Sequence, residues 1–510
     1  VIRLLASRAP LFLLLLLFAV RAHADPVTPA APFDQQVAAS VYATALSFLA
    51  PRTLEAVPVS RMAVWGLRGL TAVDPRLIAE PRGDDMTLSL RGRLLRAVPA
   101  PLDDDPNRWA DLAAQLAAAA VEASPLARQS GTAGIVQGFF DELFNHLDPY
   151  SRYVAPADAG DDLAQRRGQG GLGLTLARRG GAVVIAAAVD DGPGALAGMR
   201  VGDRILSVDG ESVGAHPAAW VADRIEGPED TPVNVAWRGR DGRVRRADFT
   251  RALVPPETVV LARDGTALVL RVSGFNRTTG LHLARALVAG LAQATEPEGI
   301  VLDLRGNRGG LLTQAVAAAE ALLPPGVVAI TAGRDPAANR VFRTEAGDIS
   351  HGLPVVVLID GRSASAAEIL AASLVDRGRA VAVGSVSFGK GLVQTIAPLP
   401  DGGELFVTWS RVLAPLGWPI QGLGVMPQVC TSLGQDALDR ALDDLDQGRP
   451  PMGDALALHN AARAPVPAAQ VVAIRDRCPA AEGRDADLDV AKALIEDPAA
   501  YATALLPPLR

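Results

Sequence analysis

Between residues 255 and 428, short apolar runs alternate with alanine-rich stretches, and no other feature restricts the fold of this chain as much. The runs fall near 267–272, 299–304, 354–359 and 380–383. Several are followed by glycine or a polar turn and then by residues with helical spacing, the signature of an α/β layer. Outside this stretch the pattern changes. Residues 33–50 and 108–147 carry apolar residues at helical intervals, with a short alternating run within 85–95 that fits a strand. Helical spacing stops at Asp148-Pro149-Tyr150, and the polar, glycine-bearing stretch 155–170 reads as a linker. From 168 to 253 short strands and turns follow one another, and the residues after 430 are helical and polar.

Arg3 and Arg8 precede an apolar run from Pro10 to Val20, and Ala22-His23-Ala24 follows it. The run is too short to span a bilayer, which takes about 20 apolar residues. Basic flank, apolar core and small-x-small site predict a signal peptide over 1–24 and an exported, periplasmic protein. Left uncleaved, the segment would hold the protein at the membrane. Export bears on the only two cysteines, Cys430 and Cys478. An even pair in an oxidising compartment reads as a disulfide rather than two free thiols, closing a loop of about 48 residues. Such a bridge would staple a tail rather than build a catalytic site. Two cysteines exclude a four-cysteine zinc site, and no paired-histidine motif points to a metal. A net charge of −7 excludes a generally basic nucleic-acid binder.

One compositional oddity bears on chemistry. The 49 basic residues include only two lysines, Lys390 and Lys492. Coding bias toward arginine accounts for most of that skew, yet burial can free a lysine amine as a base, whereas arginine stays charged to a pKa above about 12. Lys390 lies between glycines in Phe388-Gly389-Lys390-Gly391, where an inward-pointing amine competes with a solvated one. Lys492, three residues after Asp489 and four before Glu496, fits ordinary ion pairs on a helix.

Twenty-five residues before Lys390 stands Ser365, in Asp360-Gly361-Arg362-Ser363-Ala364-Ser365-Ala366-Ala367-Glu368, which reads as strand, tight turn and helix. A serine at a helix start has free N–H groups and the positive dipole end beside it, so an oxyanion there needs no added cation. The competing reading is a plain helix cap, Ser363 or Ser365, with Glu368 closing a capping box to Ser365. Gln394 would share a strand face with Lys390, but about 13 Å away along an extended chain. Contact between them would need a turn or bulge at Gly391. Gly306-Asn307-Arg308-Gly309-Gly310 can bring a backbone N–H to a substrate carbonyl, or can simply make a tight turn. It resembles the nucleophile loop of trypsin-like proteases with arginine in the serine position. Nothing in the spacing supports a serine–histidine–aspartate triad, and no phosphate-binding Walker loop is present.

Taken together, these motifs resemble the carboxyl-terminal processing proteases, tail-specific serine peptidases with a serine–lysine dyad. Ser363-Ala364-Ser365-Ala366-Ala367-Glu368-Ile369, Phe388-Gly389-Lys390-Gly391 with Gln394, and Asp303-Leu304-Arg305-Gly306-Asn307-Arg308-Gly309-Gly310 carry the likeness. Gln421-Gly422-Leu423-Gly424-Val425-Met426-Pro427 resembles the family's closing segment, and Leu147-Asp148-Pro149-Tyr150-Ser151 the entry to its core. The likeness extends over about residues 130–430, and its serine-to-lysine interval selects Ser365 over Ser363. It implies Ser365 as nucleophile, Lys390 as general base, Gln394 as the group orienting the lysine, Ala366 and Gly310 N–H as oxyanion hole, and no cofactor.

The resemblance also implies an architecture. An α/β protease core of crotonase/ClpP-like βαβ layers would occupy 254–430, after a β-rich PDZ domain at 168–253. An N-terminal helical region at 25–160 and a helical C-terminal tail at 431–510 would flank them. Backbone N–H groups at Gly171, Leu172, Gly173 and Leu174 would hold a chain-terminal carboxylate, with the peptide added to a sheet edge. Partners would be proteins or peptides with accessible C-termini; an activator, an adaptor and self-association are left open. Arg308 departs from the family's proline or small residue, and Gln428 from its aspartate, which bears on substrate fit more than on the dyad. These departures and the less similar flanks motivate an alternative, an inactive or partner-dependent PDZ adaptor on the same fold.

Overall fold

The apolar runs become strands of one six-stranded sheet in a computed structural model that describes residues 32–505 and Pro507. The expected signal peptide at 1–24 lies outside the described residues. Strand order is Val259–Asp264, Ala267–Val272, Gly299–Asp303, Val355–Ile359, Ala380–Gly384 and Val429–Cys430. The first pair is antiparallel and every later pair parallel. Gly299–Asp303, Val355–Ile359 and Ala380–Gly384 are buried at every residue. Strands covered on both faces need apolar side chains in both directions, hence unbroken apolar runs rather than alternation.

The two faces bury against different partners. Val355, Val357 and Ile359 pack into a core shared with the helices Thr279–Leu291, Leu312–Glu320 and Ala366–Asp376. Val356 and Leu358 point the other way, against Leu438, Leu445, Val490, Leu494 and Ile495. These come from the helices Gln435–Asp446 and Asp485–Glu496, so the residues after 430 form the second cover of the central sheet. Each such side chain contributes about 1.5–3 kcal/mol when fully buried. Their apolar face is thus integral to the core.

A second sheet runs Arg340–Thr344, Gly326–Ala332, Glu404–Leu413, Leu392–Pro398. Arg152–Val154 also pairs with Glu404–Leu413, laying the segment 148–154 onto the core. The N-terminal region is not purely helical. A three-stranded antiparallel sheet, Leu77–Arg82, Asp85–Leu90 and Arg93–Pro99, accompanies its helices. The helical stretch expected over 108–147 is two helices, Pro106–Ala123 and Pro125–Asn145, because Ser124 caps the second and proline opens it. Tyr42 stacks on Phe139 at 4.1 Å between ring centroids in the middle of that unit.

Between these parts, five strands in the order Val244–Thr250, Pro232–Arg238, Arg204–Val208, Ala182–Ala188, Leu174–Arg179 form a β-rich unit. They close over Val183, Ile185, Val208 and Trp237 beside the helix Ala218–Ile225. Among the described residues no helix is long and apolar enough to cross a membrane.

Candidate active site

Three loops leave the carboxyl ends of neighbouring parallel strands: 304–311 after Gly299–Asp303, 360–365 after Val355–Ile359, and 385–391 after Ala380–Gly384. In an open α/β sheet this edge is where ligands bind. The strand order alone brings together the glycine-rich loop, the serine loop and the lysine loop.

Ser363 joins them. It is fully buried, and its hydroxyl donates to the Leu304 carbonyl at 2.8 Å. Asp360 Oδ1 accepts from Gly306 N at 3.0 Å and from Ser363 N at 2.9 Å, while Ala364 N donates to Asn307 O at 2.9 Å. Phe388 N donates to Ser363 O at 2.9 Å, which attaches the lysine loop. Ser363 is therefore committed to structure, and Ser365, only partly buried, is the serine at the surface of the cleft.

Ser365 sits at the N-cap of the helix Ala366–Asp376 with φ 57° and ψ −117°, a backbone conformation that residues with a Cβ rarely adopt. Strain of this kind persists only where the surroundings impose it, and it clusters at functional sites. The glycine-rich loop presses on the same point. A Cβ on Gly309 would stand 2.7 Å from both Ser365 Cβ and the Ala364 carbonyl oxygen, and one on Gly310 would stand 2.1 Å from Phe275 O. Neither Ala366 N–H nor Gly310 N–H has an acceptor among the described residues. Arg308, one residue before Gly309, is exposed and makes no hydrogen bond or ion pair among them.

One carboxylate connects the serine to the lysine. Glu368 is fully buried in the first turn of the helix, and its Oε2 accepts from Ser365 N at 2.8 Å and from Lys390 N at 2.8 Å. Its Oε1 accepts from Gly389 N at 2.7 Å and from the Ser387 hydroxyl. Burial pushes this carboxyl above its ordinary pKa, and the donors from Ser387, Gly389, Ser365 and Lys390 pull it back. As a capping residue Glu368 needs only the Ser365 N–H. Here it also fixes the loop that carries Lys390.

Lys390 is half-buried, with Nζ 5.0 Å from the centroid of the Tyr150 ring. Burial lowers its pKa, and the nearby Arg152 cation adds to the effect. Asp148 and Glu368 oppose it. Among the described residues no hydrogen bond joins Lys390 to Ser365; catalytic hydrogen bonds often tighten only when substrate is bound. Gln394 does not reach Lys390 either. Its Nε2 donates to Thr408 Oγ1 at 3.1 Å and to Leu392 O at 3.3 Å. Thr408 in turn donates to Asp148 Oδ1 at 2.7 Å, so Gln394 braces the segment that delivers Tyr150 to the lysine.

Asp148, Tyr150, Arg152, Thr408 and Glu368 were not among the residues the sequence singled out as functional. Glu368, the one acidic residue in the first turn of the helix, was visible in the sequence only as a cap. Gln428 is explained by packing: its Oε1 accepts from Ala382 N at 2.7 Å while its Nε2 donates to Ala380 O at 3.4 Å. A carboxylate could not make the second bond.

The β-rich unit holds a cavity of about 300 Å³ lined by Gly171, Leu172, Gly173, Leu174, Ala222 and Ile225, among others. Leu172 itself is buried, and its carbonyl accepts from Gly194 N at 3.0 Å. The N–H groups of Leu172 and Gly173 have no acceptor among the described residues. Cys430 and Cys478 are joined, with S–S 2.04 Å.

Comparison with known proteins bears on these loops. Residues 266–431 match the model of peptidase family S41, and residues 184–239 that of the PDZ domain. A carboxy-terminal-processing protease of Bartonella bacilliformis is 34% identical over 302 residues, 58% of this chain and 69% of the relative. The chloroplastic C-terminal processing peptidase of Tetradesmus obliquus is 31% identical over 330 residues, 58% of this chain and 70% of the relative. Among solved structures, the photosystem II D1 C-terminal processing protease aligns at 26% identity over 74% of this chain and 97% of its own, with a TM-score of 0.36.

Proposed function

The chain belongs to the carboxy-terminal processing proteases of peptidase family S41, serine-type peptidases, and from that premise we propose that Ser365 is its nucleophile and Lys390 its general base. The observation that carries this reading is the shared carboxylate. Glu368 holds both backbone segments on one oxygen, beside two N–H groups with no acceptor. The neutral Lys390 amine takes the Ser365 proton as Oγ bonds to the scissile carbonyl carbon, and the oxyanion is held by Ala366 N–H and Gly310 N–H. Collapse breaks the C–N bond, and the Lys390 ammonium returns the proton to the leaving amine. Water, losing a proton to Lys390, then cleaves the Ser365 ester.

In this proposal the PDZ domain takes the substrate's C-terminus. The unpaired N–H groups of Leu172 and Gly173 suit a carboxylate, and the groove toward Ala222 and Ile225 suits apolar side chains. Protein or peptide substrates with free C-termini follow. Export belongs to the same reading, supported by the 1–24 sequence and by a disulfide suited to an oxidising compartment. The adaptor alternative is not favoured by membership of a peptidase family whose serine and lysine are both present here.

The test is to trap the acyl-enzyme. An unstructured peptide with an apolar C-terminus should acylate Ser365, seen by denaturing mass spectrometry, and Ser365→Ala should abolish both adduct and cleavage. Cleavage that survives Ser365→Ala would sink the assignment.

A further inference from the structure

The loop that carries Lys390 is braced from behind by residues beyond 430. The closing segment lies directly against the loop: Gln421 Oε1 accepts from Gly391 N at 3.0 Å, Gly422 N donates to Gly389 O at 2.9 Å, and Val425 N donates to Ser387 Oγ at 2.7 Å. The far side of that segment is held by the C-terminal helices. Arg475 Nη1 donates to Leu423 O at 2.8 Å and to Gly422 O at 3.3 Å, and His459 Nε2 meets Gly424 O at 2.8 Å. Gly424 shows how close the layers are. A Cβ there would stand 3.0 Å from Arg475 Nη1 and 2.9 Å from the Ser387 hydroxyl oxygen, the same hydroxyl that donates to Glu368. Arg475 is half-buried and feels the Glu368 carboxylate as an attractive charge.

Arg475 ends the helix Ala468–Arg475, and three residues later Cys478 is bonded to Cys430. Cys478 is fully buried, and its carbonyl accepts from Val386 N at 3.4 Å, at the start of the lysine loop. The same stretch reaches the serine loop, since Ala481 O accepts from Gly361 N at 2.8 Å and from the Ser385 hydroxyl at 3.0 Å. One short disulfide-fastened strap therefore touches both loops of the dyad.

We propose that Arg475 is a positioning residue for the Lys390 loop and that the Cys430–Cys478 disulfide is the fastening that keeps it in place, so that full activity needs the oxidised strap. The proposal rests on the Ser365–Lys390 reading for its effect on turnover. A dithiol reductant would undo the fastening: the S–S bond breaks, two electrons and two protons pass to the cysteines, and the dithiol becomes its own disulfide.

The two lysines allow a test that does not depend on activity. Reductive methylation of the whole protein with ¹³C-formaldehyde labels Lys390, Lys492 and the α-amine, and a proton–carbon NMR titration reads each amine separately. Lys390 faces Asp148, Arg152, Glu368 and the Tyr150 ring, all unchanged in Arg475→Ala. Losing the brace lets water reach the lysine, so its titration should move upward in Arg475→Ala and in the dithiol-reduced wild type, while Lys492 stays put. On a peptide substrate kcat should fall about tenfold or more, the scale of a lost charged hydrogen bond, with KM nearly unchanged and part of the loss restored in Arg475→Lys. The reduced wild type serves wherever a variant fails to fold. An unshifted Lys390 titration after both treatments overturns the proposal. A shifted titration in a wild-type protein that cleaves nothing would instead overturn the catalytic reading and leave the brace standing.

Discussion

Lys492 lies on the helix Asp485–Glu496 with its ammonium 3.1 Å from Asp264 Oδ2 and 3.3 Å from Asp489 Oδ1, whereas no carboxylate bonds the ammonium of Lys390 among the described residues. Hydrogen bonds donated to the two aspartates raise the pKa of Lys492; burial, helped by Arg152, lowers that of Lys390. The same side chain is thus pushed in opposite directions within one protein. Solvent and partner decide whether an amine is an ion or a base. A lysine held by two acids on an open helix is fit only to carry charge, and one taken from water beside an arginine can give it up.

The comparison breaks most visibly if the amine at 390 can be replaced by a permanent cation. Ser365→Ala should reduce turnover of an unstructured peptide by about 10⁴-fold or more, as nucleophile deletions do. Lys390→Arg keeps the charge and most of the length but cannot lose its proton, so kcat should fall by about 10²–10⁴-fold. Steady-state assays on the purified variants, with circular dichroism to verify folding, decide both. Near-normal turnover in Lys390→Arg would mean that the residue supplies charge alone.

Acidity sharpens the same contrast. A lowered lysine pKa means that the neutral amine accumulates as pH rises through the lowered value, so kcat/KM should climb with pH and level off below the ordinary lysine pKa of about 10.4. Arg152→Gln removes a cation that disfavours the charged amine, and the climb should move to higher pH. The sign for stability agrees. Between the lowered pKa and the ordinary one the unfolded chain binds more protons, so this group's contribution to stability also rises with pH. A profile that does not move in Arg152→Gln would leave burial as the only cause.

Glu368→Gln tests what ties the lysine to the serine. The amide keeps the shape but turns two donor hydrogens toward N–H or O–H groups that now meet an acceptor. Stranding such donors costs about 1–3 kcal/mol. We expect lower thermal stability and a drop in kcat of about tenfold, smaller than in Lys390→Arg because the amine itself survives.

How much of this could be read beforehand differs from residue to residue. The central strands were legible because burial on both faces demands unbroken apolar runs, and Val355–Ile359 is one. Lys390 was legible because lysine is so scarce in this chain. Glu368 was not, since a glutamate that closes a capping box and one that also holds a second loop have the same spacing from Ser365. Gln394 was read toward Lys390, yet a register shift between Val393 and Gln394 turns it to Thr408, and no spacing rule reveals a bulge. The C-terminal helices read as a polar tail because only a narrow stripe of each, Leu438 with Leu445 or Val490 with Leu494, faces the sheet. Periodicity shows that such a stripe exists but not what it covers.

The smallest effect is the control on the whole comparison. Lys492→Arg retains the cation and can still reach Asp264 and Asp489, so kcat, its pH profile and the melting temperature should match the wild type. Lys492→Met goes further and removes the charge. Because the Lys492 pKa is raised, whatever stability the ion pairs contribute is fully present below the ordinary lysine value and disappears as pH climbs through the raised one. A difference between Lys492→Met and wild type should therefore appear in melting curves near neutral pH, fade in strongly alkaline buffer and shrink with added salt, since the groups are open to solvent. Turnover should be untouched at every pH. A change in kcat in Lys492→Met would mean that the helix covering the back of the sheet communicates with the dyad, and Lys492 would then belong with Lys390 rather than opposite it.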